Sequence, residues 1–496
     1  MDESVNLILL VACVLLLVSV VAVRLSHRTG LPVLLVYLGI GLAVGEAGLG
    51  IEFSDYELTA DLGLIALAVI LAEGGLTTRW SRMRPVLPHA LVLATVGVAI
   101  SVGVVAAAGH YLLGLEWRTA VILGAVIGST DASAVFSVLR RLPLDTRVAA
   151  KLEAESGLND APVAVLVVLA SSPAWQTTSV WAGLGQIGYE LLAGAVVGLA
   201  LGWAGRQLLA RVALPTAGLY PLAGLALVLL AYSAGTALHA SGFMAAYLAG
   251  LVLGNGQLPH RRTVLGFAGS MALMAEVGLY VLLGLLASPE RLPDAVGPAL
   301  LVSAVAVLVA RPLAVVASLL PFRVPWREQL FVSWAGLRGA VPIVLTTIPI
   351  TEQVAGAERV LDVVFVLVVL LTLVQAPTLP LLGRRLRLVH AGQATEVEVE
   401  VAPLDQMRAD LLQVRVGPGS RLHGVYVEEL RLPPGAHVTL IVRDGKAVVP
   451  GPYTHFVTGD QLLVVVSSHV RDRAEARLRA VDRGGKLARW TGETGA

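Results

Sequence analysis

Cysteine is almost absent from this sequence, and charged residues are scarce. The only cysteine is Cys13, so neither a disulfide framework nor a cysteine-rich metal site can form. Charged residues make up 14% of the 496 residues, whereas about 25% is usual for soluble domains. The formal net charge of +1 gives no reason to expect nucleic acid as a partner. These shortages exclude a disulfide-rich scaffold, a disordered chain and an ordinary soluble enzyme.

Apolar residues are abundant instead. The chain is 56% hydrophobic and its mean hydropathy is +0.78. Runs of about 17 to 25 apolar residues can cross a hydrocarbon core of roughly 30 Å as helices. We therefore predict an all-α polytopic membrane protein with about thirteen transmembrane helices. The predicted spans, numbered in chain order, cover residues 5–23, 31–49, 61–77, 86–109, 119–139, 153–170, 183–205, 218–238, 241–258, 266–287, 296–319, 328–350 and 360–382.

Basic residues predict which side of the membrane each loop faces, because cytoplasmic loops carry the excess of Lys and Arg. The loops that follow odd-numbered spans contain 18 basic residues, whereas the other loops contain 3. The first group is Arg24, Arg28, Arg79, Arg82, Arg84, Arg140, Arg141, Arg147, Lys151, Arg206, Arg211, Arg261, Arg262, Arg323, Arg327, Arg384, Arg385 and Arg387; the second is Arg118, Arg291 and Arg359. We predict a multi-pass protein of the cell (inner) membrane with its amino terminus outside and its carboxyl terminus in the cytoplasm.

The odd number of spans predicts an inverted internal repeat. If spans 1–6 and 8–13 are equivalent halves, they cross the membrane in opposite directions, as is common in secondary transporters. The fifth span of each half contains poor helix material, namely residues 128–131 (Gly-Ser-Thr-Asp) and 336–342 (Gly-Leu-Arg-Gly-Ala-Val-Pro). Broken helices offer free carbonyls and helix ends to an ion. We therefore predict that spans 5 and 12 are broken helices that cross at an ion site.

Span 6 begins with a polar face. Helical spacing places Ser156 and Asp160, four residues apart, on one side, and Glu155 and Asn159 flank it. A hydroxyl, a carboxylate and a second carboxylate from Asp131 of span 5 form a set of hard oxygen ligands. Such a set suits a small desolvated cation better than an organic substrate.

These polar residues also have purely structural interpretations. Asp160 could be a buried, hydrogen-bonded carboxylate, although such burial in lipid is costly. Thr130 and Asp131 could cap the helix break, and that role is compatible with ion binding.

Other ionisable residues within the spans are candidates for the same reason. We expect Arg338 to be structural and to pair with a buried carboxylate such as Glu155. Glu73, near the end of span 3, is either a snorkelling surface residue or part of the site. For Glu276 and Arg311 we expect structural pairing.

After Arg387 the composition changes to that of a small α+β domain. Residues 395–401 alternate as a half-buried strand does, residues 411–416, 437–442 and 461–466 read as further strands, and residues 424–431 read as a short helix. The predicted organisation is a transmembrane domain at 1–387, a linker with a strand at 388–402, a small cytoplasmic domain at 403–482 and a flexible tail at 483–496.

Three stretches resemble the monovalent cation–proton antiporter family of the NhaP/NHE type. They are residues 128–136 (Gly-Ser-Thr-Asp-Ala-Ser-Ala-Val-Phe), 155–160 (Glu-Ser-Gly-Leu-Asn-Asp) and 336–343 (Gly-Leu-Arg-Gly-Ala-Val-Pro-Ile), with a weaker match at 73–76. The resemblance covers about residues 1–385. It implies a thirteen-helix fold in which a core bundle moves against a dimerisation bundle, and therefore a homodimer in lipid.

The resemblance also implies a role for each polar residue. Asp160 would be the carboxylate that exchanges cation and proton. The other implied roles are cation binding by Asp131, Ser156 and the Thr130 carbonyl, contact through water for Glu73, support of the Thr130 region by Asn159, and an ion pair between Glu155 and Arg338.

Two local features bear on the transported ions. Asn159 before Asp160, in place of two aspartates, resembles the electroneutral one-for-one branch of the family. Ala132 follows Asp131 where many members have proline, and this variation resembles the potassium-exporting bacterial members. The implied function is exchange of K+, or alternatively Na+, for H+, with no cofactor. Cation and proton would compete for one carboxylate, because the empty charged site is too costly to carry across lipid.

The C-terminal region resembles the TrkA-C (RCK-C) regulatory domain of potassium transport systems. The matching positions are Val416, Gly424, Leu430, residues 443–445 (Arg-Asp-Gly), Pro450, Gly459 and Asp460. This resemblance favours potassium and implies ligand-gated regulation, with a nucleotide as one expected effector. The sequence has no glycine-rich phosphate loop, so a nucleotide would have to bind at a domain interface. The alternative is a domain that only dimerises or stabilises the chain.

Two other functional classes remain as rivals. A gated cation channel would also suit a cytoplasmic regulatory domain, but channels need a continuous ring of ligands. A membrane enzyme is disfavoured, because the apolar spans contain no His-Glu-x-x-His helix and no plausible Ser-His-Asp set.

Overall fold

The computed structural model describes residues 13–14, 17–21, 32–46, 48, 50, 53–131, 144–212, 214–256, 258–389, 400–404 and 409–488. These residues form two compact units. The membrane unit contains the described residues up to 131 and from 146 to 388. The C-terminal unit contains residues 144–145 and the described residues from 389 onward. Each unit has its own hydrophobic core.

The membrane unit is built from helices. Their bounds are α1 Val33–Val44, α2 Tyr56–Thr77, α3 Leu87–Leu113, α4 Trp117–Gly128, α5 Thr146–Ser171, α6 Val180–Arg211, α7 Leu219–Ala237, α8 Gly242–Gly254, α9 Arg261–Leu286, α10 Leu292–Phe322, α11 Trp326–Trp334, α12 Val341–Thr351 and α13 Ala357–Arg385.

This helix order confirms the predicted polytopic class. Seven helices (α2, α3, α6, α7, α9, α10 and α13) are long and apolar enough to cross a membrane, and α1, α4, α8 and α12 are shorter apolar helices. Helices α11 and α12 are the two parts of predicted span 12. Helix α5 is span 6, and it begins at Thr146 rather than at 153. Most of span 1 and the second half of span 5, residues 132–139, lie outside the described residues.

The helices pack as two bundles. Helices α1, α2 and α6–α9 pack on one another and form what we call the scaffold bundle. Helices α3–α5 and α10–α13 form the site bundle, which contains both helix breaks and the polar face of α5. Within the scaffold bundle, Gly198 and Gly202 of α6 face the backbone of Ala245 and Ala249 on α8. Any Cβ there would overlap α8, so these glycines allow the close helix approach typical of membrane bundles.

The C-terminal unit is a five-stranded antiparallel sheet with one helix. The strands are β1 Glu400–Leu404, β2 Ala409–Arg415, β3 Ala436–Arg443, β4 Lys446–Val448 and β5 Gln461–Ser467, in the order β1-β2-β5-β3-β4, and the helix is α14 Arg471–Gly484. Leu412 of β2 and Val438 of β3 both pair with Val464 in the central strand β5. The side chains of Leu478 and Val481 on α14 are buried in the same core.

The sequence predictions for this unit are right for the strands and wrong for the helices. Strands form at the predicted positions 411–416, 437–442 and 461–466, and a strand includes residues 400–401 of the predicted 395–401; residues 395–399 lie outside the described part. The predicted helix at 424–431 is wrong, because only Glu428–Leu430 forms a single 3-10 turn. Residues 483–487, predicted as flexible tail, complete α14 and a following 3-10 turn.

Asp460 is the main polar anchor of this sheet. Its side chain is 1% exposed and accepts hydrogen bonds of 2.8 Å from Arg443 Nε, Arg443 Nη2 and the amide of Val457. Burial alone would raise the pKa of Asp460, but the bonds from Arg443 and Val457 outweigh it and lower the pKa below its ordinary value. The ionised carboxylate therefore stabilises the folded unit. That contribution is present above the ordinary aspartate pKa and is lost as the pH falls through the lowered value.

We expect Asp460→Asn to destabilise the C-terminal unit at neutral pH by about 1 to 3 kcal/mol, the range for hydrogen bonds to charged groups. Hydrogen exchange of β2 and β5 in the full chain, followed by mass spectrometry, measures this loss. The difference in stability between variant and parent should narrow as the pH falls from about 4 through the lowered pKa of Asp460, where the parent carboxylate also becomes protonated. Asp444→Asn, in an exposed turn with φ 49°, is the matched control. It should change neither the stability of the C-terminal unit nor the pH dependence of that stability. A pH-independent difference would contradict the assignment.

Candidate cation-binding site

The two helix breaks meet inside the site bundle. Helix α4 ends at Gly128, and Ser129 continues in an extended conformation with φ −71° and ψ 149°. Between α11 and α12, residues 335–340 are also not helical. The amide of Asp131 donates a 2.9 Å hydrogen bond to the carbonyl of Leu337, which joins the two breaks through their backbones. The end of α4 and the break between α11 and α12 therefore meet as predicted, whereas the second half of span 5 lies outside the described residues.

Gly339 allows this crossing. A Cβ at Gly339 would overlap the carboxylate of Asp131, so any larger residue here would force the Asp131 side chain to move. The side chain of Arg338 next to it is 4% exposed and donates a hydrogen bond to the carbonyl of Ser129. Arg338 thus satisfies a backbone carbonyl that the end of α4 leaves without a helical partner.

Gly339→Ala should displace the Asp131 carboxylate and weaken alkali-cation binding. A misplacement of about 1 Å at a functional site costs on the order of 100-fold, and we expect a loss of affinity of that size. Equilibrium binding of ⁸⁶Rb+ to the purified protein measures it. Gly278→Ala on α9, where an added Cβ meets no atom within 4 Å, serves as the control. Equal affinities in the two variants would contradict this role for Gly339.

Helix α5 holds the first break in place. Ser156 Oγ donates to the carbonyl of Thr130, and Asn159 Nδ2 donates a 2.7 Å hydrogen bond to Thr130 Oγ1. Asn159 is fully buried and Thr130 is 6% exposed. The sequence prediction placed Asn159 beside the Thr130 region, and the two side chains are in direct contact.

Asp160 lies at the centre of this region. It is 8% exposed, and its Oδ1 atom has no hydrogen-bond partner among the described residues. A cavity of about 340 Å³ is lined by Asp160, Asp131, Ser156 and Glu73, so the structure brings these four predicted site residues together. The Thr130 carbonyl accepts a hydrogen bond from Ser156, one of these lining residues. The predicted residues therefore occupy one place in the fold.

The ligand chemistry fits an alkali cation better than a transition metal. Among all described residues, no group of three His, Cys, Asp or Glu side chains has a spacing that could hold a metal ion. The oxygens at Asp160, Asp131, Ser156 and Thr130 come from carboxylates, a hydroxyl and a carbonyl. This mixture of hard ligands suits cations that bind weakly and leave again.

The predicted ion pair between Glu155 and Arg338 is wrong. Glu155 is 1% exposed and pairs with Arg311 of α10, whose Nη1 and Nη2 both reach its carboxylate, the second at 2.9 Å. Arg338 donates its hydrogen bond to the Ser129 carbonyl instead. Arg311 lies close enough to pair with Glu155 because α10 and α5 both belong to the site bundle. The structural pairing expected for Arg311 is thereby confirmed, with Glu155 as its partner.

Part of the cavity wall consists of residues that the sequence motifs do not identify as site residues. Glu153 of α5, Tyr247 of α8, and Glu276 and Tyr280 of α9 also line it. Glu276 was expected to be structural, although a glutamate within a span is itself a signal of function. The tyrosines carry no comparable sequence signal, because buried aromatic residues are common in any helix bundle.

Fold and site together define the class of protein. Two crossed helix breaks, an unpaired buried carboxylate oxygen within the described residues and a cavity between two bundles are the features of a secondary transporter. Residues 14–385 match the family model described as "Sodium/hydrogen exchanger, transmembrane", and residues 411–489 match the TrkA-C domain. The chain belongs to the sodium/hydrogen exchanger family and carries a TrkA-C domain.

Curated relatives and solved structures support this assignment. The chain is 35% identical to the K(+)/H(+) antiporter NhaP of Alkalimonas amylolytica and 34% identical to the K(+)/H(+) antiporter NhaP2 of Shewanella oneidensis, each over 93% of this chain and 82% of the relative. It is 27% identical to the Na(+)/H(+) antiporter ApNhaP of Aphanothece halophytica over 78% of this chain and 76% of the relative. The structure of the sodium proton antiporter MjNhaP1 of Methanocaldococcus jannaschii shares the fold, with a TM-score of 0.68 and 23% identity over 77% of this chain and 99% of that one.

Proposed function

We propose that this chain exchanges a monovalent cation for a proton across the cell membrane. The observation that carries the proposal is Asp160, a carboxylate that is 8% exposed, lines the cavity and has an oxygen without a hydrogen-bond partner in the described part of the chain. A proton or a desolvated cation can occupy that oxygen, but both cannot do so together. An empty, charged carboxylate is costly to move through lipid, so the site moves only when filled.

The other site residues have supporting roles in this proposal. Asp131, Ser156 and the Thr130 carbonyl complete the cation ligands, and Glu73 acts through water. Asn159 keeps Thr130 in place by the 2.7 Å hydrogen bond. Glu155 and Arg338 hold the crossed segments, each through a partner of its own.

One cation for one proton leaves no net charge to move. The driving force is then set by the two concentration ratios, and one pH unit is worth about 1.4 kcal/mol. The site bundle would carry Asp160 and Asp131 past the scaffold bundle, since both carboxylates belong to it.

We propose K+ as the preferred cation, with Na+ as the alternative. Support for K+ comes from the relatives named K(+)/H(+) antiporters at 34–35% identity and from the TrkA-C domain. Support for Na+ comes from the more distant ApNhaP, named a Na(+)/H(+) antiporter.

We also propose the orientation of the chain. The excess of Lys and Arg in loops after odd-numbered spans supports a cytoplasmic carboxyl terminus and an external amino terminus. The cavity extends from Asp160 towards Thr77 and Thr78 at the end of α2 and Glu153 in the first half of α5, which lie on the cytoplasmic side in this orientation. The described conformation is then inward-facing.

For the C-terminal unit we propose regulation of transport by a nucleotide, and for the whole chain a homodimer in the membrane without a resident cofactor. The domain limits proposed from the sequence are 1–387, 388–402, 403–482 and 483–496, and the matches to two separate domain models at 14–385 and 411–489 support a division of this kind.

Fluorescence dequenching in inside-out vesicles tests the function. Addition of K+, Na+ or Li+ to vesicles with an acidic lumen should restore the fluorescence of a pH probe, saturably and with the largest response for K+. Clamping the membrane potential at zero should leave the rate unchanged. Cation flux that does not saturate and needs no proton gradient would instead indicate the channel alternative.

A further inference from the structure

The cavity wall is strongly acidic. Five carboxylates line it, from Glu73 on α2, Asp131 at the first break, Glu153 and Asp160 on α5, and Glu276 on α9, and no Lys, Arg or His side chain is among the described residues of its wall. Carboxylates that share a partly desolvated space repel one another unless cations or protons reside between them. The electrostatics of the whole cavity, in addition to those of Asp160, therefore favour cations.

Two further observations indicate that the cavity holds a ligand. The carboxylate of Asp160 is more than nine-tenths buried and its Oδ1 has no hydrogen-bond partner in the described part of the chain. The volume of about 340 Å³ is room for about ten water molecules at roughly 30 Å³ each. This space is larger than a bare alkali ion needs, so the ion can arrive with part of its hydration shell.

Glu276 differs from the aspartates in the bundle that carries it. It lies on α9, which packs with α1 and α2 in the scaffold bundle, and its neighbours include Tyr37 of α1 and Tyr280 of α9. Tyr280 lies close to Asp131, and Glu276 precedes it by four residues, a little more than one helical turn of about 5.4 Å. Asp131 and Glu276 both lie close to the Tyr280 side chain, and Glu276 lines the cavity that faces the cytoplasm in the orientation proposed above.

This position suits a carboxylate that receives the ion before the main site does. An acidic side chain at the wall of a cavity raises the local concentration of cations and lowers the cost of partial dehydration. Because Glu276 belongs to the scaffold bundle, it stays behind when the site bundle moves. It can attract a cation to the inward-facing cavity without having to release it on the other side.

We propose that Glu276 forms a recruiting site, in which its carboxylate holds a partly hydrated monovalent cation in the cavity before the cation reaches Asp160. The inference rests on the proposed function for its role in exchange, and it adds a second binding position for the same class of ion. Glu276 acts here by direct electrostatic contact with the hydrated ion and takes no part in proton exchange.

Exchange kinetics in proteoliposomes test the role. Glu276→Gln should raise the KM for K+ by about tenfold or more, because the cation loses its attraction to one unit charge at the effective dielectric constant of protein sites. The maximal rate at saturating K+ should stay within about twofold of the parent, since only uniform binding is lost. Raising the ionic strength with N-methyl-D-glucamine chloride should narrow the difference in KM, because salt screens a charge effect and leaves a packing defect unchanged. Glu190→Gln on α6, a helical glutamate outside the cavity wall, should match the parent.

Direct binding tests the site without transport. In an Asp160→Asn background, ⁸⁶Rb+ should still bind weakly to the purified protein, and adding Glu276→Gln should remove that binding. Rb+ binding that is the same with and without Glu276→Gln would overturn the proposal, as would an unchanged KM in folded Glu276→Gln protein. Absence of exchange in the parent, with Rb+ binding that depends on Glu276, would instead refute the proposed function and leave the recruiting site standing.

Discussion

Replacing Asp160 by asparagine should abolish cation–proton exchange while the chain still folds. The amide has nearly the volume of the carboxylate, so packing around the buried position changes little. It carries no charge, however, and therefore cannot bind a proton and a cation in turn. Ser156, Thr130 and Asp131 would remain in place, but the exchangeable charge would be gone.

Vesicle dequenching with K+ and Na+ measures this loss, and the signal should fall to that of vesicles without the protein. Gel filtration in detergent establishes that the variant is folded. Asp294→Asn, an exposed position at the start of α10, removes a carboxylate from the same chain and should transport like the parent. Substantial cation-dependent proton flux in folded Asp160→Asn protein would refute the proposed mechanism.

Of the single substitutions predicted for this chain, Arg311→Met should cause the largest decrease in the free energy of unfolding. Arg311 is 5% exposed and Glu155 is 1% exposed, so the substitution leaves a carboxylate buried in the bundle without its counterion. Breaking a buried pair on one side costs about 3 to 5 kcal/mol. The variant should unfold at a markedly lower temperature, as measured by gel filtration after heating.

The double variant Glu155→Leu/Arg311→Met removes both charges. Apolar replacement of a whole buried pair is often neutral or stabilising, so the double variant should regain most of the lost stability. Arg359→Met, at an exposed position in the first turn of α13, is the control and should change stability by less than about 0.5 kcal/mol. If the double variant is no more stable than Arg311→Met, the stabilising contact of Arg311 is not the one with Glu155.

The site was predictable from sequence to a large extent, because its signals are local. A carboxylate, a hydroxyl and an amide within five residues of an apolar span are rare, and the cost of burying them in lipid selects for function. Glycine and proline at 336, 339 and 342 likewise reveal a helix break without any knowledge of its surroundings. The crossing of the two breaks followed from their matching positions in the two proposed halves.

The ion-pair partners could not be predicted in the same way. Glu155 and Arg311 are 156 residues apart in sequence, and Arg338 was an equally reasonable partner until the packing of α10 was known. Charge alone identifies candidates for a buried pair, whereas the choice among them depends on which helices are neighbours. Arg311 is therefore the partner of Glu155, a role that the sequence alone assigns to Arg338.

Helix α14 was missed for a different reason. Its sequence is dominated by charged residues, which resemble those of a solvated tail, and its contribution to the apolar core is Ala474, Leu478 and Val481. The spacing of three to four residues between these apolar positions nevertheless indicates an amphipathic helix. The early start of α5 at Thr146 was hidden similarly, because Arg147 and Lys151 lower the hydropathy of its first two turns.

The bond between the Asp131 amide and the Leu337 carbonyl has a consequence for how temperature and lipid act on this protein. Together with the hydrogen bonds from Ser156 and Asn159 to Thr130, it joins α4, α5 and the segment between α11 and α12 into one block that carries the ion site. None of these hydrogen bonds has to break for an ion to be transported. In the proposed mechanism, the slow step would then be the movement of that block relative to the scaffold bundle and the surrounding acyl chains. A more viscous bilayer should slow turnover, while the affinity of the block for its ion stays the same.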